Sequence, residues 1–271
     1  MIQPSTVRWR RALALTLVRW LCRYGHVLWT LGYPEAALVD AERALKEARE
    51  SGQAASLMNA MATTLWTLIF CGNYETARVQ CEELFALADK KGADQWKGPA
   101  IMHRGRILVL TGNPTDAVQT ITSGLAAWQL TGATLLVPTA SAYLARAHAE
   151  TGHFDDAWRC IDEAMTAVEA TKERWHQADI TRMAGEIALK SPTPDAAKAE
   201  AYFERALTVA RSQQAKSWEL RAAMSMARFW RDQGKRDDAL ELLAPVYGWF
   251  TEGFDTLDLK EAKKLLEELA A

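Results

Sequence analysis

The sequence LGYPEAAL, residues Leu31–Leu38, contains a turn that recurs along the chain. Related phrases follow at intervals of forty residues: CGNYETAR from Cys71, TGNPTDAV from Thr111 and TGHFDDAW from Thr151. A further one, QGKRDDAL from Gln233, comes two periods and two residues after the phrase at Thr151. Glycines also lie every twenty residues from Gly32 to Gly152, and glycine tolerates the left-handed backbone that commonly ends a helix. Self-similarity at a fixed period predicts a stacked repeat protein with two helices and two turns in each unit.

Small residues occupy two further positions of the unit. Five residues after the turn glycine, or after its replacement in SPTPDAAKA, every copy has alanine: Ala37, Ala77, Ala117, Ala157, Ala199 and Ala239. Seven residues before the turn, all copies but Leu65 are small: Gly25, Gly105, Ala145, Gly185 and Ala227. Small side chains let paired helices pack closely. The pattern resembles the tetratricopeptide repeat, whose period is about 34 residues, with each helix here about one turn longer.

We therefore expect an all-α fold, a right-handed α-solenoid of about six hairpins followed by a capping helix. It forms a single domain, 1–271, with these units: about 7–52, 53–92, 93–132, 133–172, 173–214 and 215–252, and a cap at 255–270. Asp255 is predicted to cap the last helix from Thr256, with one apolar stripe: Leu259, Ala262, Leu266 and Leu269. Each repeat should contact only its neighbours, so loss of the first hairpin should leave a folded remainder.

Composition excludes several classes of protein. A formal net charge of −2 gives no reason to expect nucleic-acid binding, which usually needs a basic domain or stripe. The four cysteines lack disulfide or metal spacing, which favours a reduced, cytoplasmic setting. Arg8, Arg10 and Arg11 precede the apolar run Ala12 to Val18, but Arg19 interrupts it. This argues against a signal peptide, and no run reaches the roughly 18 apolar residues of a membrane span.

Catalytic motifs are absent from the sequence. It has no phosphate loop, dinucleotide turn, H-E-x-x-H or G-x-S-x-G. The five histidines lack metal-ligand spacing, and carboxylates such as Asp155 and Asp156 lie at helix starts, where they complement the helix dipole. The eleven tryptophans are expected mostly to fill space between repeats. We therefore expect a chain that is not an enzyme and holds no cofactor or metal.

Arginines recur on the first helices of the units. In a tetratricopeptide superhelix, as the resemblance implies, these helices line the concave face. Arg106, Arg146 and Arg228 share one inward position, six residues before a turn glycine, and four others lie about a helical turn away: Arg19, Arg182, Arg221 and Arg231. The predicted partner-binding set is as follows: Trp66, Met102, Arg106, Arg146, Arg182, Arg221 and Arg228. Guanidinium groups pair with carboxylates, which points to an acidic peptide or domain surface. The alternative is that the arginines pair with local acids such as Glu150 and Glu186.

The C-terminal third resembles a particular group of proteins. The stretch AKSWELRAAMSMARFW through KEAKKLLEEL, Ala215 to Leu269, is similar to the end of large bacterial signalling proteins that join a class III adenylate or guanylate cyclase domain, an AAA-type ATPase domain and a tetratricopeptide region. LLAPVYGWFTEGFDT, Leu242–Thr256, is its most specific phrase. LGYPEAAL and the run from Ala170 also match, so the resemblance covers about residues 22–269. No catalytic part of the cyclase or ATPase lies in this chain.

The resemblance implies a non-catalytic scaffold or sensor region, either a piece of such a protein or a free-standing relative. Its expected partner is another protein or another domain of its parent. The alternative is a small-ligand-sensing module with a pocket lined by Trp66, Met102 and Arg106. At the N-terminus, the first helix, Val7 to Leu31, carries an apolar face with nothing before it to cover it: Trp9, Leu13, Leu17, Trp20 and Leu21. We expect a missing upstream helix and, as a result, either self-association through this face or a mobile, protease-sensitive segment before about Leu21.

Overall fold

The computed structural model describes residues 25–271. All regular secondary structure in this range is helical, as predicted. The described part of α1 is residues 25–31. The further α-helices are α2 (Pro34–Glu50), α3 (Ala54–Phe70), α4 (Tyr74–Lys91), α5 (Lys97–Leu110), α6 (Pro114–Gln129), α7 (Val137–Glu150), α8 (Phe154–Thr171), α9 (Gln177–Lys190), α10 (Ala196–Ser212), α11 (Lys216–Asp232), α12 (Arg236–Gly248) and α13 (Leu257–Ala270). A 3₁₀ turn, Asp94–Trp96, precedes α5.

The N-terminal apolar face predicted above, with Arg19 and the first part of α1, lies outside the described residues. Self-association through that face stays a prediction. Among residues 25–271, no helix is both long enough and apolar enough to cross a bilayer.

The helices form hairpins with distinct inner and outer members. Even-numbered helices bury one stripe each, and in α2 the stripe is mostly alanine, from Ala37 to Ala48. The odd-numbered helices from α3 to α11 are buried over most of their surface, as expected for helices that line the inside of a solenoid. The alanine that follows each turn is fully buried in all six units. A Cβ placed on Gly185 would lie 2.5 Å from the ring of Phe203 in the paired helix, which explains the small residue before the turn.

The first and last hairpins contact each other and close the superhelix. At the end of α1, the Ser217 hydroxyl donates to the Trp29 carbonyl. At the end of α3, Arg221 donates to the Phe70 carbonyl at 3.0 Å. We call this junction of α1–α3 with α11–α13 the seam. The expectation that each repeat contacts only its neighbours is wrong at the seam.

Two distant phrases of the sequence meet there. Helix α2 has Tyr33 at its N-cap, which supplies no side-chain acceptor. The Glu252 carboxylate accepts the backbone N–H of Ala36 at 2.9 Å instead, and it places negative charge at the positive end of the helix dipole. Gly253 lies against the Pro34 ring. LGYPEAAL and LLAPVYGWFTEGFDT therefore form one clasp between the two ends of the superhelix.

The C-terminal helix differs in detail from the predicted cap. It begins at Leu257 with Thr256 at the N-cap position, so the predicted cap at Asp255 is wrong. Its fully buried stripe uses Leu265, whereas Leu266 is only partly buried. The helix start packs on the α3–α4 turn, because a Cβ on Gly72 would lie 2.6 Å from Cβ of Leu257. The helix therefore takes part in closure as well as ending the array.

The turn glycines of the second and third units provide a matched test of closure. Gly72 and Gly112 have φ of 82° and 85°, but only Gly72 has a neighbour within van der Waals distance of an added Cβ. Alanine at either position should cost about 1–2 kcal/mol for the left-handed backbone. We expect Gly72→Ala to lose about 1–3 kcal/mol more through overpacking. Urea denaturation measures both variants, and equal losses would contradict the seam contact.

Candidate functional site

Aromatic side chains fill one half of the interior. Trp29 stacks on Phe70 with 4.3 Å between ring centroids, and Trp218 meets the same Phe70 ring edge-on at 5.1 Å. Trp66 and Trp175 meet at 4.9 Å. These side chains come from α1, α3, α11 and the segment before α9. We call this group, with the histidines and arginine described next, the aromatic cluster. Its described side chains pack against one another in this half of the superhelix.

Arg106 lies inside the aromatic cluster and is only 2% exposed. Its guanidinium carbon is 3.9 Å from the centroid of Trp66 and 4.6 Å from that of Tyr143, so two aromatic faces stabilise the charge. Within residues 25–271 it has one hydrogen bond, between Nη1 and Nδ1 of His103 at 3.2 Å. Among the described residues no carboxylate forms an ion pair with it, and burial lowers the pKa of Arg106 to about 10.

Three buried histidines surround this arginine. His26 and His176 lie 6.2 Å apart between ring centroids, and His103 contacts Trp66 at 4.8 Å. Burial, with a smaller contribution from the Arg106 charge, lowers the pKa of His26 to about 4 and those of His103 and His176 well below their ordinary value. These imidazoles are therefore neutral at physiological pH. Among residues 25–271 no group of histidine, cysteine and carboxylate side chains is arranged to hold a metal ion.

Met102 faces the paired helix α6. A Cβ on Gly124 would lie 2.9 Å from the Met102 Cγ atom. Trp66, Met102 and Arg106 are each at most 6% exposed, so they do not line the open pocket that the small-ligand alternative predicts. Trp66 and Arg106 are in contact, but with each other and inside the protein.

The other half of the interior contains a cavity of about 200 Å³, which we call the polar cavity. Its charged lining consists of four arginines and three acids: Arg146, Arg182, Arg221, Arg228, Glu186, Asp258 and Glu261. Helices α7, α9, α11 and α13 supply these residues. The structure thus brings together four of the five arginines of the predicted set.

Each arginine of the polar cavity has a carboxylate partner, as the alternative interpretation of the arginines predicts. Arg182 pairs with Asp179 at 2.7 Å and Glu186 at 2.6 Å. The other pairs are Arg146–Glu150 at 2.9 Å, Arg221–Asp258 at 2.8 Å and Arg228–Glu261 at 2.9 Å. Outside the cavity, Arg231 pairs with Asp232 and Glu268.

Burial affects the two best-buried cavity acids differently. It raises the pKa of Asp258 above its ordinary value despite the opposing charge of Arg221. Burial alone would also raise the pKa of Glu186, but the charges of Arg182 and Arg146 outweigh it and hold the value at about 2. Glu186 is thus firmly ionised, whereas the charge on Asp258 depends on its arginine.

One inward position shows how the two halves differ. In successive units it holds His26, Trp66, Arg106, Arg146, Glu186 and Arg228. The first three belong to the aromatic cluster and the last three line the polar cavity. Sequence reasoning missed Trp175, His176, Trp218 and Asp258, since the period of a repeat does not indicate which units lie near the seam.

Comparisons with known proteins establish the fold and not a family. No protein-family model matches the sequence, and no curated protein matches it. Among solved structures, the apo form of RapI has a TM-score of 0.64 at 13% identity, over 94% of this chain and 85% of its own. A Rap protein complexed with Competence and Sporulation Factor has a TM-score of 0.64 at 14% identity, over 94% and 66%.

Two further structures are similar. Aspartyl phosphate phosphatase F from Bacillus subtilis has a TM-score of 0.62 at 13% identity, over 90% of this chain and 61% of its own. A STAND signal-transduction ATPase with a tetratricopeptide repeat sensor, from Pyrococcus horikoshii, has a TM-score of 0.50 at 13% identity, over 94% and 39%. This chain therefore spans less than two thirds of three of these four proteins. At such identities the likeness shows a tetratricopeptide-like helical repeat.

Arg182 and Arg159 provide a matched pair of arginines. Each pairs with an aspartate three residues before it and a glutamate four residues after it, but the Arg182 side chain is 9% exposed and that of Arg159 57%. Arg182→Gln leaves Asp179 buried without a counter-charge and should cost about 3–5 kcal/mol. Arg159→Gln should cost about 0–1 kcal/mol. Urea denaturation measures both, and similar losses would show that burial does not determine the value of the triad.

The histidines predict a pH dependence. Because the folded pKa of His26 is about 4 and its ordinary value is 6.5, the unfolded chain binds more protons between these values. The stability that depends on neutral His26 is complete above pH 6.5 and is lost as the pH falls toward 4. We expect the free energy of unfolding to fall between about pH 7.5 and pH 5 by up to about 1.4 kcal/mol per unit for each titrating histidine.

Two variants separate this effect from other titrations. His26→Phe should flatten the pH dependence, whereas the same change at His153, which is exposed, should leave it as in the wild type. Urea denaturation at a series of pH values measures the slope. An unchanged slope in His26→Phe would contradict the assignment.

Proposed function

We propose that the chain is a non-catalytic, tetratricopeptide-like scaffold or sensor module that binds an acidic segment of a protein partner, or of another domain of its parent, at the polar cavity. The observation that carries the proposal is that four inner arginines line a single cavity. The Arg146 and Arg228 side chains are 28% and 39% exposed, so they are the accessible members. The aromatic cluster occupies the inward positions of the N-terminal units, so we place binding at the polar cavity.

The similar structures support a regulatory module. One is a Rap protein complexed with Competence and Sporulation Factor, and another carries a tetratricopeptide repeat sensor in a signal-transduction ATPase. The fold thus occurs in a complex with a named factor and in a sensor region. Both observations agree with a binding role for this chain.

The parent in this proposal is a bacterial, cytoplasmic cyclase–ATPase signalling protein, and the sequence resemblance is its basis. LGYPEAAL and LLAPVYGWFTEGFDT both match that group, and both belong to the clasp that closes the superhelix. A shared closure device would explain why these two phrases occur together. The STAND protein offers a parallel in which one chain combines an ATPase with a repeat sensor.

The alternative function is a small-ligand sensor, and the small size of the polar cavity favours it. Its volume of about 200 Å³ is room for several water molecules, since a site of about 10–15 Å³ on this measure already holds one. Such a cavity accommodates a small molecule or one side chain of a partner. Its lining is charged, unlike the Trp66, Met102 and Arg106 pocket that the sequence predicts.

A model acidic partner tests the main proposal. Fluorescence anisotropy of a labelled polyglutamate peptide should show binding that weakens between about 50 mM and about 300 mM salt, because counter-ions screen exposed charges. The Arg146→Gln/Arg228→Gln double variant should bind at least about tenfold more weakly, a loss of about 1.4 kcal/mol.

The control carries the same change in charge on the outer surface. Arg78→Gln/Arg159→Gln removes two exposed arginines of outer helices and should retain affinity within about twofold, as expected where no direct contact is lost. Equal weakening in both double variants would show non-specific attraction and overturn the proposal. Circular dichroism checks that the wild type and both double variants are folded.

A further inference from the structure

We infer that the polar cavity is a binding site for a single carboxylate group and that this site is complete only while the superhelix is closed. The inference deepens the proposed function and rests on it. Its basis is the set of guanidinium groups that still have free donors and the position of the cavity across the seam.

Three of the four arginines retain unused hydrogen-bond donors. Among the described residues, Arg146 uses only Nε, Arg228 only Nη2, and Arg221 only Nε and Nη2. Arg182 uses all three nitrogens, toward Asp179, Glu186 and Ser225. Each guanidinium presents five N–H groups in a planar fork that matches the oxygens of a carboxylate. The arginines with unbonded nitrogens come from α7 and α11, and all three line the same small cavity.

The neighbouring acids select the charge of the ligand. Glu186, Asp258 and Glu261 line the cavity together with the four arginines. Two acids outside the lining also pair with these arginines: Asp179 with Arg182 and Glu150 with Arg146. Lys190 also pairs with Glu150, at 3.6 Å. With Lys190 the positive charges equal these five carboxylates, so a dianion would meet strong repulsion. A group with one negative charge and two acceptor oxygens uses the free donors with less repulsion. This combination describes a carboxylate.

The wall of the cavity comes from both sides of the seam. Tyr74, at the start of α4, lines the cavity together with Leu257 and Asp258, at the start of α13. Arg221 joins the two sides, because it donates to the Phe70 carbonyl at 3.0 Å and to Asp258 at 2.8 Å. Opening of the seam would remove one wall and free the Arg221 guanidinium to reorient.

Closure and binding are therefore coupled. A ligand that binds only the closed form stabilises that form. By thermodynamic linkage, a change that opens the seam lowers the affinity for the ligand. Binding at the polar cavity then depends on whether the clasp is closed. This coupling gives a sensor module a physical means of transmitting occupancy to its two ends.

A pair of matched probes tests the ligand class. Isothermal titration calorimetry compares N-acetylglycylglycine, which has one carboxylate, with its neutral C-terminal amide, and the acid should bind at least about tenfold more tightly. Arg146→Gln should remove most of that difference, whereas the outer variant Arg159→Gln should preserve it. Equal binding of acid and amide overturns the inference.

Free propionate distinguishes two sources of the carboxylate. Propionate binding comparable to that of the peptide acid identifies a free small acid as sufficient. Binding of the peptide acid alone identifies a carboxylate presented on a chain. Either result supports a carboxylate site.

Variants at the clasp test the requirement for closure. Gly253→Ala places a Cβ against Pro34, whereas the Cβ of Gly112→Ala has no neighbour within 4 Å. The two glycines are matched in backbone conformation, with φ of 70° at Gly253 and 85° at Gly112. Gly253→Ala should weaken binding of the peptide acid by at least about fivefold, and Gly112→Ala should not. If Gly253→Ala fails to fold, Glu252→Ala removes the contact with Ala36 and takes its place. Unchanged affinity in a folded clasp variant overturns the coupling.

The two proposals fail in different ways. Polyglutamate binding that depends on Arg146 and Arg228, without discrimination between acid and amide probes, overturns the carboxylate site and leaves the partner-binding function. Discrimination between the probes without polyglutamate binding overturns partner binding at the cavity and leaves the small-ligand sensor.

Discussion

Arg221 is the point at which the two ends of the superhelix depend on each other. Its guanidinium group is held by the Phe70 carbonyl from the N-terminal side and by Asp258 from the C-terminal side, and it lies 4.9 Å from the Trp29 ring centroid. A buried cation is costly unless its charge and its N–H groups are satisfied. Arg221 has both of these partners only when the two ends of the superhelix are in place. Its hydrogen bonds therefore specify the closed form, and the apolar side chains pack within that form.

Closure divides an interior that the repeats alone would make uniform. The N-terminal units lie against α11 and the segment before α9, and their inward side chains form the aromatic cluster. The later units retain the polar cavity, because their arginines and acids satisfy one another around it. The site thus arises from the asymmetry that the seam imposes on equivalent positions. His26 and Arg228 occupy the same place in the repeat and have opposite environments.

The sequence predicts the local structure well because the determinants of that structure are local. Turn glycines, buried alanines and helix pairing depend on neighbours within about one period, and the Arg182 triad follows from helical spacing of three and four residues. Closure depends on the rotation and rise summed over all units, which no single phrase contains. For that reason the neighbour-only contact pattern was predicted wrongly. The cap at Asp255 and the stripe position of Leu266 are each one residue off within α13, and Met102 faces α6 of its own hairpin; these are local errors that the repeat pattern is too coarse to prevent.

The clasp also fixes the number of repeats. An open solenoid can gain or lose a forty-residue unit with little penalty, since each new interface resembles the old ones. Here an inserted unit would keep every neighbouring contact and still carry Glu252 away from Ala36 and Gly253 away from Pro34. Duplication of units, the ordinary route by which repeat arrays change length, is therefore closed to this part of the chain. Diversity must come from substitution of inward side chains at a constant repeat count.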